Sequence, residues 1–174
     1  MEKSTKKLLL YYLAAAAAGA ALHFLFTWLP NPATALISPV RESVWEHVKL
    51  LYFPLLAAAA LLGRGGGGMG RAPWLLSLTA VCAILLGVGW LYHIVLRGES
   101  LYVDLTLYFV LLAVGFLLPR VLWPLCEWPG TDKAAVLLTA LLGAFIVWFT
   151  FFPPQSALFA DLSGAVRTFL TIPV

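Results

Sequence analysis

The hydrophobic pattern along the chain consists of five long apolar segments separated by short polar or glycine-rich connections. Each segment has roughly twenty residues, which at ~1.5 Å per residue is enough for an α-helix to cross the ~30 Å hydrocarbon core of a bilayer. The pattern therefore predicts an all-α protein, a single integral membrane domain over residues 1–174 built as a polytopic bundle of five transmembrane helices. The predicted spans are residues 8–28, 39–62, 74–96, 101–122 and 133–152.

Local signals predict the ends of several helices. Ser38 is a residue type that caps helix N-termini and Pro39 suits the first helical position, so the second span is predicted to begin there. Pro153 and Pro154 close the fifth span. The remaining residues, 153–174, are apolar but interrupted by polar side chains, and they predict a short interfacial or re-entrant tail instead of a sixth span.

Composition supports a membrane protein and excludes a soluble globular domain. Hydrophobic residues make up 62% of the chain, charged residues only 11%, and the mean hydropathy is +0.94, so one small core could not hide the apolar surface. The expected partners are membrane lipids, around a multi-pass protein of the cell (plasma) membrane. The net charge of +3 follows from membrane orientation and indicates no nucleic-acid partner.

The distribution of basic residues predicts how the bundle is oriented. With the N-terminus in the cytoplasm, seven basic residues fall on the inner side and four on the outer side, and the positive-inside rule favours this N-in, C-out arrangement. The first apolar segment is long enough to be a span, so no cleavable signal peptide is predicted. The inner set is Lys3, Lys6, Lys7, Arg64, Arg71, Arg120 and Lys133, and the outer set is Arg41, Lys49, Arg97 and Arg167.

Two motif-like features lead to no functional prediction. Gly65, Gly67 and Gly70 match the GxGxxG spacing of dinucleotide-binding sites, but they follow a membrane helix instead of a strand, so we interpret residues 63–71 as a flexible linker. Neither the spacing nor the predicted depth of Cys82 and Cys126 indicates a disulfide or a metal-binding cysteine pair.

The most informative segment is 38–49, where ionisable residues interrupt the beginning of the second span. Charged groups at hydrocarbon depth are costly unless they face the bundle interior, a polar cavity or one another, so a dense cluster is a hypothesis of a functional site. In the predicted topology all three histidines, and all carboxylates of the spans, lie in the outer half of the membrane, and we expect their side chains to converge on one pocket. The residues concerned are His23, Glu42, Glu46, His47, His93 and Asp104, and Lys49 lies beside them in the second span.

Helical periodicity adds detail to the expected pocket. At ~100° per residue, Glu42, Glu46 and Lys49 share one stripe of the second span, and His47 lies on the neighbouring stripe. In the fourth span a phenol and a carboxylate, Tyr108 and Asp104, are stacked four residues apart.

Each of these residues also has a purely structural interpretation. His23 could be a hydrogen-bonding strut between helices, His93 an interfacial residue, and Glu42 an acid that stabilises the positive N-terminal end of the second spanning helix. Glu46 and His47 would lie about two turns into that helix, where capping no longer explains them. We expect these two to be paired, metal-bound or, for Glu46, protonated, either in a functional site or in a buried polar contact that fixes helix packing.

A long and specific motif runs through the first half of the chain. It consists of His23-Phe24 near the end of the first span, followed by Ser38-Pro39-Val40-Arg41-Glu42-Ser43-Val44-Trp45-Glu46-His47-Val48-Lys49-Leu50. In this motif the chain resembles a family of small prokaryotic polytopic membrane proteins, a domain of unknown function, with the pattern Ser-Pro-Val-x-Glu-Ser-Val-Trp-Glu-His-x-Lys-Leu. The segment 153–161 is similar to that family's ending. The resemblance implies a shared fold and a shared polar site, and it supplies no activity.

The first functional hypothesis is a metal-assisted membrane hydrolase. Histidine and carboxylate side chains suit a divalent ion such as zinc, and a catalytic site needs three protein ligands, an open water position and a nearby base. An opening toward the outer leaflet would suit a lipid or lipid-linked substrate. The predicted ligands are His47, His93 and Asp104 with His23 as a further candidate, the predicted base is Glu46, and the other catalytic candidates are Glu42, Lys49 and Tyr108.

Two other hypotheses stay open. A non-enzymatic binder or transporter subunit would use the same pocket to hold a cation or a small amphiphile, and five spans without an internal repeat argue against an autonomous transporter. A structural membrane protein would use the polar cluster only to lock helix packing. Two histidines from different helices would also suit haem as axial ligands, and a colourless preparation would exclude that cofactor.

Overall fold

The computed structural model describes residues 2–63 and 70–162 of the chain. α-Helices account for most of these residues, and no β-strand occurs among them. The greater part of the glycine-rich linker interpreted from residues 63–71, with Arg64, lies outside the described residues, and so does the tail from residue 163 onward, with Arg167. The predicted all-α class is confirmed for the residues described.

Six α-helices follow one another along the described part of the chain. They are α1 (Glu2–Trp28), α2 (Pro32–Ile37), α3 (Val44–Leu62), α4 (Ala72–Gly89), α5 (Leu101–Leu122) and α6 (Thr131–Phe151). A π-helical turn (Trp90–Val95) extends α4, a 3-10 turn (Trp123–Glu127) extends α5, and a second 3-10 turn (Ala157–Phe159) follows α6. All helices except α2 are long and apolar enough to cross a membrane, which confirms the prediction of five such helices.

The prediction that the second spanning helix begins at Ser38 and Pro39 is wrong. Helix α3 begins at Val44, and Ser43 is its N-cap, with a side-chain oxygen that accepts a hydrogen bond from the Glu46 backbone N–H at 3.2 Å. Ser43 and Glu46 have the spacing of a capping box, a second start signal that competes with the first. The structure uses the later signal, so the helix is about one and a half turns shorter than predicted.

The segment between α2 and α3 is held against α1 instead of forming a helical turn. The Ser38 hydroxyl donates a hydrogen bond to the Leu22 carbonyl oxygen at 2.5 Å and accepts one from the Phe26 backbone N–H at 3.0 Å. Ser38 therefore has a tertiary role: it lies at the C-terminal end of α2 and does not cap the N-terminus of α3. As a result Glu42 precedes α3 and Glu46 lies in its first turn, so the predicted stripe containing both residues does not form on one helix.

Helix α3 is the central helix of the bundle. It packs against α1, α4, α5 and α6, and it is the most deeply buried of the five long helices. Its Val48 and Leu51 side chains are fully enclosed, as are Leu78 of α4, Leu112 of α5 and Ile146 of α6. The outer helices expose many apolar residues, which fits a surface in contact with lipid.

Hydroxyl groups of the buried helices reach carbonyl oxygens of neighbouring helices. The Tyr52 hydroxyl of α3 donates to the Thr139 carbonyl oxygen of α6 at 2.9 Å, and the Ser77 hydroxyl of α4 donates to the Gly115 carbonyl oxygen of α5 at 2.8 Å. Such bonds satisfy polar groups that hydrocarbon could not satisfy, and they fix the relative positions of helices that lipid does not drive together.

The antiparallel course of the long helices brings several connections to one end of the bundle, which we call the polar end. Residues 29–43, 96–100 and 152–162 lie there. The Leu162 backbone N–H donates to the Glu42 carbonyl oxygen at 2.8 Å, which fastens the segment after α6 to the segment before α3. The histidines and carboxylates selected from the sequence are all placed at or near this end.

Candidate functional site

Three separate parts of the chain bring His23, Glu42 and His47 together at the polar end. His23 lies near the end of α1, Glu42 in the connection before α3, and His47 in the first turns of α3. One possible ligand atom from each side chain lies within 4.8 Å of the other two. All three residues are half-buried, so the cluster is partly enclosed by protein and partly accessible.

Hydrogen bonding fixes the orientation and tautomer of His47. Its Nδ1 atom lies 2.7 Å from the Ser43 carbonyl oxygen, and because a carbonyl oxygen only accepts, Nδ1 carries the proton and donates. Nε2 faces the cluster and lies 3.4 Å from Glu42 Oε2. A backbone carbonyl that holds one ring nitrogen in this way is the usual support for a histidine whose other nitrogen binds a metal ion.

His23 brings a ring nitrogen that finds no acceptor or donor among the described residues. Its Nδ1 atom is buried without a hydrogen-bond partner there, a state that costs about 1–3 kcal/mol for a polar atom. The ring lies 5.6 Å from the His47 ring, measured between centroids, and packs edge-to-face on Phe24 at 4.9 Å. The His23 ring also offers a nitrogen to Glu42 and His47, and an imidazole with an unsatisfied nitrogen at such a place suits a metal ligand.

The donor set of two imidazoles and one carboxylate is well matched to a first-row transition ion. Zinc in hydrolytic sites and iron(II) in oxygenase sites are both held by this combination, with coordination positions left open for water or substrate. The side chains of His47 and Glu42 are 33% and 39% exposed, which leaves room for such a position. The donor set alone does not distinguish zinc from other divalent ions.

His93 and Asp104 form a second cluster. His93 Nε2 lies 3.0 Å from Asp104 Oδ1, and His93 Nδ1 lies 2.9 Å from the Gly98 carbonyl oxygen. Because a carbonyl oxygen only accepts, Nδ1 donates to it, and Nε2 faces the carboxylate. Asp104 is within electrostatic range of His47, so this pair neighbours the first cluster. The predicted ligand set of His47, His93 and Asp104 thus divides between two clusters.

Glu46 and Lys49 lie in a third, fully buried group. Lys49 Nζ donates to Glu46 Oε2 at 2.8 Å, to the Ala35 carbonyl oxygen at 2.7 Å and to the Ser38 carbonyl oxygen at 3.0 Å. The Val40 backbone N–H donates to the same carboxylate oxygen at 2.9 Å. The predicted base, Glu46, is therefore committed to a lysine and a backbone amide, and the network ties the segment before α3 to the helix.

Tyr108, another predicted catalytic residue, lies in a helix contact. Its hydroxyl donates to the Ala16 carbonyl oxygen of α1 at 3.2 Å, and it rests against Gly19, where a Cβ atom would collide with the hydroxyl. The absence of a side chain at Gly19 lets α1 and α5 approach closely. The structure places the phenol in the packing of these helices, and the predicted stacking on Asp104 is not its principal contact.

Comparison with known proteins assigns the chain to a family. The profile of one protein family matches residues 1–166, almost the full length. The chain belongs to DUF6512, a family of unknown function. The resemblance to an uncharacterised family is confirmed to that extent. No curated protein and no solved structure matches this DUF6512 chain.

Two features of the site in this DUF6512 protein are not evident from the sequence pattern alone. Glu42 is a catalytic candidate in the sequence and becomes the third member of the His23 and His47 cluster in the structure. The capping-box spacing of Ser43 and Glu46 is the signal that places Glu42 outside the helix. The backbone carbonyl groups that receive Lys49 have no signal in the sequence, because any residue supplies a carbonyl.

Proposed function

We propose that this protein is an integral membrane protein that binds a divalent transition-metal ion through His23, Glu42 and His47, and that the ion serves the hydrolysis of a lipid or lipid-linked substrate. The observation that carries the proposal is the approach of three ligand atoms to within 4.8 Å of one another from three separate segments. The orientation of His47 by Ser43 and the unsatisfied nitrogen of His23 support a metal ion over a simple hydrogen-bonded contact.

The chemistry follows from the arrangement around the ion. A bound ion of this kind polarises its water and makes it an effective nucleophile near neutral pH. The Asp104 carboxylate, whose Oδ1 lies 3.0 Å from His93 Nε2, is the candidate acceptor for the water proton. In hydrolysis the water oxygen bonds to the carbonyl carbon or the phosphorus, the bond to the leaving alcohol oxygen breaks, and the proton passes to that oxygen.

The orientation of the bundle decides which side of the membrane the site serves. We propose the N-in, C-out arrangement in the plasma membrane, which is supported by the excess of basic residues on the side of the N-terminus. The polar end then faces outward, at the level of the lipid headgroups. A site at that depth suits a substrate whose reactive bond lies between an apolar chain and a polar group.

A non-catalytic binder is the second candidate function. It is favoured by the commitment of Glu46 to Lys49 and the Val40 amide, since that contact removes the base first expected from the sequence. In this alternative the metal cluster holds an ion or an amphiphile without turnover. The buried contact between Glu46 and Lys49 has a role of its own in helix packing.

Metal content of the purified full-length protein tests the proposal. Wild-type protein, loaded with zinc, iron(II) or manganese and then dialysed, should retain a stoichiometric amount of one metal, and His47→Ala should reduce metal affinity at least about tenfold. Asp104→Asn is the matched control, because it changes a carboxylate of the neighbouring cluster that is not one of the three proposed metal ligands. It should retain the ion while slowing hydrolysis of a fluorescent lipid ester or phosphodiester in mixed micelles.

Three outcomes separate the alternatives. Wild-type protein that binds none of these ions, or a folded His23→Ala and His47→Ala double variant that retains as much metal as wild type, would overturn the metal centre. Metal binding that depends on His47, without turnover of any lipid class, would leave the binder as the function. Thermal unfolding in detergent shows whether each variant is folded.

A further inference from the structure

Two open grooves adjoin at the polar end, where they share two lining residues, and we call the two together the Arg41 trough. The larger groove has a volume of about 500 Å³ and lies between Arg41 and the segment that follows α6. The smaller groove has a volume of about 420 Å³ and lies between that segment and the end of α4. Ser156 and Ala157 line both grooves, so the two grooves adjoin at this segment, one toward the surface of α4 and the other toward Arg41.

We propose that the Arg41 trough binds one anionic phospholipid, with the phosphate at the Arg41 guanidinium and an acyl chain along the end of α4. This site goes beyond the proposed metal centre and requires no metal ion. Its ligand is a resident lipid of the surrounding bilayer, recognised by headgroup charge at one end of the trough and by apolar contact at the other.

Charge at the headgroup end supports an anionic ligand. Arg41 is half-buried, and among the described residues its guanidinium forms no ion pair. The neighbouring carboxylate, Glu42, lies against His47, and none of the described residues that line the groove is acidic. A guanidinium in this position suits the bidentate binding of a phosphate group, and basic residues near a membrane surface attract anionic lipids.

The other end of the trough is suited to an acyl chain. It is lined by Leu86, Gly87 and Trp90 on α4 and its π-helical extension. A Cβ atom added at Gly87 would meet nothing within 4 Å, so the glycine leaves an open notch in the helix surface. Trp90 is 48% exposed, and tryptophan is enriched at the boundary between hydrocarbon and headgroups.

The wall of the trough is held in place by packing. Phe159, in the 3-10 turn after α6, packs on the Trp45 ring at 5.1 Å and on the Phe149 ring at 5.3 Å, measured between centroids. The hydrogen bond from the Leu162 backbone N–H to the Glu42 carbonyl oxygen holds the C-terminal end of the same segment. A preformed trough favours binding because little conformational entropy is lost when the lipid enters.

Native mass spectrometry of the full-length protein in micelles, titrated with phosphatidylglycerol or phosphatidylcholine of identical acyl chains, tests the proposal. Wild type should bind the anionic lipid at least about tenfold more tightly, and Arg41→Gln should remove most of this preference, because the phosphate loses its charged partner. Arg97→Gln, an exposed arginine at the same end that does not line the trough, is the matched control and should bind like wild type. Gly87→Leu should weaken binding of both lipids, since it fills the notch.

Several results would overturn the lipid site. The first is equal affinity of wild type for the two lipids, and the second is an Arg41→Gln variant whose preference for the anionic lipid is unchanged. The third is displacement of phosphatidylglycerol by millimolar inorganic phosphate, which would indicate a site for the free ion. Repeating the titration after chelation, and with His47→Ala, keeps this test independent of the metal centre. Lipid binding should be unchanged in both cases even if no metal site exists.

Discussion

Replacing Lys49 with methionine removes the ammonium group that joins the segment before α3 to the helix. Nζ is fully enclosed and donates three hydrogen bonds of 2.7, 2.8 and 3.0 Å, to Ala35, Glu46 and Ser38. Methionine has a similar length and would fill the space without donating. The Glu46 carboxylate would then keep only the Val40 amide as a partner for Oε2, and its Oε1 already has no partner among the described residues.

The expected loss in unfolding free energy is about 3–5 kcal/mol, the cost of removing one member of a buried ion pair and leaving the other charged. Glu46→Gln should cost less, about 1–3 kcal/mol, because the amide oxygen still accepts from the Val40 N–H and from Lys49. Combining Glu46→Gln with Lys49→Met should be less destabilising than the sum of the single changes, since the double variant no longer buries an unpaired charge.

Reversible unfolding in mixed micelles of mild detergent and SDS, followed by far-UV circular dichroism, measures these differences. Lys133→Met changes an exposed lysine and is the matched control, expected within about 0.5 kcal/mol of wild type. A Lys49→Met variant as stable as the control would refute the structural reasoning. A stable Lys49→Met variant that also lost metal binding or turnover would return Lys49 to the catalytic role predicted from the sequence.

Two further predictions concern the orientation of the bundle and the packing of α1. In a cysteine-free background, an impermeant maleimide added to intact cells should label Ala33→Cys at the polar end and leave Trp128→Cys at the opposite end unlabelled, and the reverse pattern would invert the proposed topology. Gly19→Ala should lower the melting temperature in detergent, because the new Cβ collides with the Tyr108 hydroxyl, and adding Tyr108→Phe should recover part of the loss. A melting temperature unchanged by Gly19→Ala would contradict the close approach of α1 and α5.

The sequence by itself determined the class of the protein and its five apolar helices. Length and hydropathy of a segment are properties of neighbouring residues. In a membrane every backbone polar group must be hydrogen-bonded within the protein, so an apolar segment of this length forms an α-helix. The same local reasoning selected ionisable residues that the structure places at or near the polar end, because an ionisable side chain in such a segment needs a partner wherever the helix is placed.

The start of α3 was decided by tertiary structure. Ser38 and Ser43 are both suitable caps, and the choice between them follows from the bonds of the Ser38 hydroxyl to Leu22 and Phe26 of α1. Those partners lie 16 and 12 residues away along the chain, so no signal within one helical turn could reveal them.

The grouping of the polar residues was also decided by tertiary structure. Sequence reasoning expected one pocket, and the structure divides the residues into the His23, Glu42 and His47 cluster, the His93 and Asp104 pair, and the buried Glu46 and Lys49 group. Ligation and hydrogen bonding depend on distances of a few ångströms. Such distances are set by how each helix is rotated and where its first turn begins, and packing against the other helices fixes both.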